Sequence, residues 1–170
     1  MNGQPGETRI AAPLVGPAFL VSQVGAHAAV CFGERLEALE LIPQHAGILR
    51  MLGSNPGMSQ QALSETLGMF PSRLVSLLDE LERRKLIERR GSPRDRRVYQ
   101  LHLTGEGRKS LTAVGKVTRQ LEEDLFSALS ESELATIQDL LARIAAQQRI
   151  TPGVHPAYRQ TRKQKTSKSR

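Results

Sequence analysis

The residues best placed to do chemistry in this chain are three arginines within four positions. Arg94, Arg96 and Arg97 surround Asp95 in the stretch Ser92-Pro93-Arg94-Asp95-Arg96-Arg97. A guanidinium carries a fixed charge and a planar fork of donors, which suits phosphate oxygens and base edges. Gly91 and Pro93 mark the stretch as a turn. An arginine on such a tip can enter a narrow minor groove and read its shape. The plainer reading is a charged turn that keeps a hairpin soluble, and three basic residues in four weigh against it. The chemistry on offer is recognition, not bond-making. The sequence has no Ser/His/Asp order and no Gly-rich phosphate loop, so an enzyme is not expected. No His/Cys/acid grouping has metal-ligand spacing, and no cofactor is expected.

The elements that must position those arginines lie on either side. Downstream, Val98, Gln100 and His102 alternate with Tyr99, Leu101 and Leu103, the pattern of a half-buried strand. Upstream, Leu86 and Ile87 lead into a partner strand, so the basic turn sits at the tip of a hairpin. Before that, Pro71 opens a helix in which Leu74, Leu77, Leu78 and Leu81 fall at i, i+3, i+4 and i+7. Ser72, Arg73, Ser76 and Glu80 face elsewhere. A shorter helix, capped by Ser59 and closed by Gly68, uses Ala62, Leu63 and Leu67. The spacing predicts helices at 59–67 and 71–84, the spacing of a helix-turn-helix.

Pro43 begins another helix with Ile48, Leu49 and Leu52 on its inner face. From 14 to 40 the chain reads helical, with Leu20, Val24, Ala28, Cys31 and Leu39 on one face. Gly16, Pro17, Gly25 and Gly33 oppose that reading. Thr104 is expected to cap a long helix carrying Leu111, Val114, Val117, Leu121 and Leu125. Ser130 and Glu133 form a capping box, flanked by Leu129 and Leu134 as a staple. Leu134, Ile137, Leu140, Leu141 and Ile144 continue that helix. These outer helices carry more apolar surface than one small lobe covers, which points to a dimer.

The predicted fold is mainly α with a small β-hairpin wing: a winged helix-turn-helix flanked by N- and C-terminal dimerisation helices. Residues 1–12 are expected to be disordered and 13–148 to form the domain. Within it the winged helix-turn-helix occupies about 43–103, and the dimerisation helices about 14–40 and 104–148. Residues 149–170 read as a basic disordered tail.

Composition agrees with this plan. The chain of 170 residues has no Trp and 4% aromatics, so its core must be aliphatic. Seven basic residues and no acid lie in 149–170, while the seventeen basic residues before them balance seventeen acids. The net charge of +7 therefore belongs to the tail, which is expected to raise nonspecific DNA affinity. The single Cys31 excludes an internal disulfide and a cysteine-rich zinc site. It also suits a reducing compartment. No signal peptide or membrane helix is expected, and a cytoplasmic location with no membrane partner is the simplest reading.

The order of motifs resembles the MarR family of winged helix-turn-helix bacterial transcriptional regulators over residues 14–148. The likeness is carried by Asp95-Arg96-Arg97 followed by Leu101-His102-Leu103-Thr104. Leu67-Gly68-Met69, Leu78-Asp79-Glu80-Leu81-Glu82-Arg83-Arg84 and Leu86-Ile87-Glu88-Arg89 add to it. Three positions depart from the family pattern. Phe70 stands at a small polar cap, Lys85 at a helix-closing glycine, and Ser76 where many relatives have arginine.

The resemblance implies a homodimer that represses or activates from a pseudo-palindromic site on double-stranded DNA. Arg97 would enter the minor groove and Asp95 would brace the wing. Ser72, Arg73 and Ser76 would face the major groove, with Arg94 and Arg96 on phosphate. A solvated helix face is the plain alternative for Arg73. At least one of Arg83, Arg84, Arg89 and Arg90 is expected to pair with Glu82 or Glu88 instead of DNA.

Family ligands, often small aromatic or phenolic acids, bind near the junction of dimer helices and DNA lobe. His27 and His45 are the pocket candidates there, and partly buried structural histidines the plainer reading. One branch of the family senses peroxide through a cysteine well upstream of the second helix. Cys31 lies only 12 residues before Pro43 and reads as a buried structural thiol, with redox sensing as an alternative. A sequence-nonspecific architectural DNA binder is the other alternative.

Overall fold

The computed structural model describes residues 15–91 and 99–158. Six helices and a small sheet alternate in the order α1 (Pro17–Glu37), α2 (Pro43–Ser54), β1 (Met58–Ser59), α3 (Gln60–Leu67), α4 (Pro71–Arg83), β2 (Ile87–Gly91), β3 (Tyr99–Leu103), α5 (Gly105–Leu125) and α6 (Glu131–Gln147). A 3-10 turn follows at Pro156–Tyr158. The expected disorder at 1–12 and the turn bearing Arg94, Asp95, Arg96 and Arg97 lie outside the described residues.

The helix signals act where they stand in the sequence. Ser59 Oγ accepts the Ala62 amide at 3.1 Å and starts α3, and Gly68 ends it at φ 64°. Pro71 stands in the first turn of α4. Thr104 Oγ1 accepts the Gly107 amide at 3.0 Å and starts α5. Ser130 and Glu133 complete a reciprocal capping box on α6. Each such cap is worth about 1 kcal/mol.

The core lies between α2, α3, α4 and the sheet. Ile48, Leu49, Leu52, Leu63, Leu67, Leu74, Leu78, Leu81, Ile87 and Leu101 are buried there. The α4 leucine stripe is buried in full, as the spacing predicts. β2 and β3 are antiparallel with Arg89 opposite Leu101, and β1 adds a third strand with Met58 opposite Leu101. Two residues are too few to show alternation, so β1 had no sequence signal.

The flanking helices leave apolar surface bare in one protomer, as their sequence leads one to expect. α1 is shorter than 14–40, and of its residues only Leu36 is buried. Leu20 and Val24 remain 48% and 45% exposed. α1 packs against α5 and α2, while its residues from Pro17 to His27 are all exposed. α6 has no buried residue, and Leu134, Leu140, Leu141 and Ile144 are exposed.

The tail expected to be disordered from 149 is ordered for its first part. Val154 and Tyr158 are buried. Tyr158 donates its hydroxyl to Pro43 O at 2.6 Å, and Arg50 donates to Gly153 O. Composition averaged over a strongly basic stretch concealed these two apolar anchors.

Candidate nucleic-acid interface

Two elements of the site can be built from the core outward. Burial of Leu74, Leu77, Leu78 and Leu81 fixes the rotation of α4. Ser72, Arg73 and Ser76 are then exposed on its other side. Ser76 Oγ donates to Ser72 O at 3.2 Å, within the helix itself. Among the described residues Arg73 forms no ion pair, so its guanidinium is available to an anion. Phe70, at the N-cap, supplies no side-chain hydrogen bond and is 47% exposed.

The second element is the base of the hairpin. Arg89 of β2 donates Nη2 to Asp79 Oδ1 at 2.6 Å and Nη1 to Glu82 Oε2. Its amide also reaches Glu82 Oε1 at 3.3 Å. Both acids belong to α4, so the root of the wing is clamped to the helix whose outer face is exposed. Arg90 pairs with Glu88 at 2.5 Å. Arg84 turns inward to the α1–α2 link, donating to Leu39 O at 3.1 Å and to Glu40 O. The expectation that some of these arginines pair with acids therefore holds for Arg89 with Glu82 and Arg90 with Glu88.

Lys85, at the position of the expected glycine, adopts φ 57°. That left-handed conformation costs a residue with a Cβ about 1–2 kcal/mol. Tyr99 shares its strand face with buried Leu101 and Leu103, yet it is 57% exposed. It lies at the outer end of β3, beyond the reach of the core. The alternation showed its face but not where the core stops.

The two histidines fall apart. His45 is 1% exposed on α2. Its Nε2 lies 3.4 Å from Glu80 Oε2 of α4 without the alignment of a hydrogen bond, so both ring nitrogens lack a partner among the described residues. Burial pushes its pKa below the ordinary value, opposed by Glu80 and assisted by Arg84. His27 sits on α1 with an imidazole nitrogen 3.6 Å from Cys31 Sγ. Cys31 is half-buried, not buried as expected, because this stretch of α1 is incompletely covered.

A cleft of about 950 Å³ does open between the outer helices and the lobe, against α1, α2, α5 and α6. Its walls include Phe32, Gly47, Arg50, Val114, Ala146 and Tyr158. Neither His27 nor His45 lines it. His45 lies beside Ala46 and Gly47 in sequence but is turned into the lobe.

Residues 39–98 match the model of the MarR family. The chain is 36% identical over 106 residues to a regulatory protein for the hcr operon of Thauera aromatica. That match covers 62% of this chain and 64% of the relative. It is 30% identical over 102 residues to the transcriptional regulator HosA of Escherichia coli O111:H-, covering 60% of this chain and 75% of that protein. Among solved structures, the transcriptional repressor CouR bound to a 23-mer DNA duplex superposes with a TM-score of 0.68 at 30% identity. That superposition covers 76% of this chain and 92% of CouR.

Proposed function

The chain belongs to the MarR family of transcriptional regulators, and from that premise we propose that it is a sequence-specific, homodimeric double-stranded DNA binder. The observation that carries this reading is the α4 surface. Ser72, Arg73 and Ser76 are exposed together, Arg73 is unpaired among the described residues, and Arg89 holds the wing root to the same helix. A helix presented this way suits the major groove, with a wing beside it. Arg94, Arg96 and Arg97 would then reach the flanking backbone and minor groove, with Asp95 bracing the turn. The repressor CouR, which shares this fold at 30% identity and is solved on a DNA duplex, supports double-stranded DNA as the partner.

The homodimer is inferred from uncovered apolar surface. Phe19, Leu20, Val21 and Val24 of α1 and Leu134, Leu140, Leu141 and Ile144 of α6 are exposed in one protomer. Large apolar side chains left bare on outer helices suit an interface. Two-fold pairing through it would give a pseudo-palindromic operator whose half-sites lie about 10 base pairs apart. The cleft beneath α5 and α6 would take a small, largely apolar effector, which shifts lobe spacing only as far as it prefers one spacing. On this reading the protein is a regulator acting in the cytoplasm.

Sedimentation of the full chain with a duplex recovered by selection tests this reading. Two protomers per duplex are expected, and one protomer per duplex would contradict it.

A further inference from the structure

Gly47 stands in the interior of α2, where glycine weakens a helix. Its reason is 111 residues away in the sequence. A Cβ on Gly47 would lie 2.7 Å from Cε2 of Tyr158 and 3.1 Å from its Cζ and hydroxyl oxygen. The tyrosine side chain fills the space that a Cβ at position 47 would need, and its hydroxyl donates to Pro43 O at 2.6 Å. Three residues along α2 from Gly47, Arg50 donates to Gly153 O. Val154 is buried between these two anchors in the sequence. The segment is thus held at three points, and all three polar or steric contacts fall on α2.

We propose that residues 151–158 form a strap that docks in the cleft, occupies its α2 wall and ties α6 to the DNA-binding lobe. Tyr158, Val154, Gly153 and Arg50 all line that cleft, so the strap forms one side of the space an apolar guest would enter. The strap also follows α6 directly, through Ile150, whose amide donates to Ala145 O at 2.9 Å. α6 has no buried residue of its own, so the docked strap fixes its C-terminal end against the lobe. Undocking opens the cleft and frees that end.

Amide hydrogen exchange and binding of 8-anilinonaphthalene-1-sulfonate test it, in the full chain and in Gly47→Ala and Tyr158→Ala. Gly47→Ala favours the helix while removing the seat of the ring, so it separates undocking from unfolding. In the wild type the Val154 and Tyr158 amides, bonded to Thr151 O and His155 O, should exchange about tenfold or more slower than in an unstructured peptide. Both variants should lose that protection while α2 keeps its own, and both should bind more dye. Should Gly47→Ala fail to fold, Tyr158→Ala alone carries the comparison. Fast exchange of 151–158 in the wild type, or unchanged exchange and dye binding in the folded variants, would overturn the strap.

Discussion

Arg89 and Asp79 join β2 to α4: Nη2 of the first lies 2.6 Å from Oδ1 of the second. Glu82, one turn along α4, holds the other arm of the same guanidinium. The Arg89 side chain is 20% exposed, so the fork is partly withdrawn from water. Charge-assisted bonds of this kind count for more than surface pairs, though exposure of both acids discounts them. Arg89→Met should lower stability by about 1–2 kcal/mol. A urea midpoint unchanged from wild type would show that the clamp adds nothing.

His45 makes the fold sensitive to acid. Burial holds its pKa below the ordinary 6.5, Glu80 opposes that shift and Arg84 adds to it. Between the lowered native value and 6.5 the unfolded chain binds more protons than the native one. Stability from this site is therefore complete above about pH 6.5 and is lost as pH falls toward the native value. His45→Gln should flatten the change in urea midpoint between pH 7.5 and pH 5.5, relative to wild type. Parallel losses in the two proteins would remove His45 from the account.

The apolar residues left bare on α6 should be buried in solution. Leu140 and Ile144 are 47% and 51% exposed in the protomer and lie one turn apart. Burying a charge in such an interface costs several kcal/mol. Leu140→Glu with Ile144→Glu should convert a dimer to monomers at micromolar concentration, read by sedimentation equilibrium. A wild-type monomer, or a doubly substituted dimer of unchanged affinity, would contradict the interface.

Arg73 and Arg97 should separate DNA binding from stability. Arg73 is exposed and free of ion pairs among the described residues, so Arg73→Ala should leave the urea midpoint within about 0.5 kcal/mol of wild type. Each arginine replaced by alanine should weaken binding to the selected duplex by about tenfold, as the loss of one good contact does. Fluorescence anisotropy titration reads this directly. An unchanged dissociation constant for Arg97→Ala would remove the wing from the mechanism.

Much of this was legible because local signals and long-range packing agree. Ser59, Gly68, Pro71, Thr104 and the Ser130–Glu133 box each set a helix end where the sequence places it. The leucine stripe of α4 fixes which side chains face out, so Ser72, Arg73 and Ser76 could be read before any coordinates. What failed to show depends on distant partners. The pairing of Met58 with Leu101 spans a connection no period records. The docking of Tyr158 on Gly47 spans most of the chain, and neither residue alone announces it. The direction of His45 was hidden for the same reason, since α2 carries both the lobe core and the cleft wall.

On the proposed function, an α4 surface clamped to a basic wing reads DNA sequence as a two-fold pair. Selection of duplexes from a random pool by the full chain, at near-physiological salt, tests it most directly. Enrichment of a pseudo-palindrome with half-sites about 10 base pairs apart, preferred by about a thousandfold or more over random duplex, is expected. Retention of duplexes without any enriched sequence, or no retention at all, would contradict it.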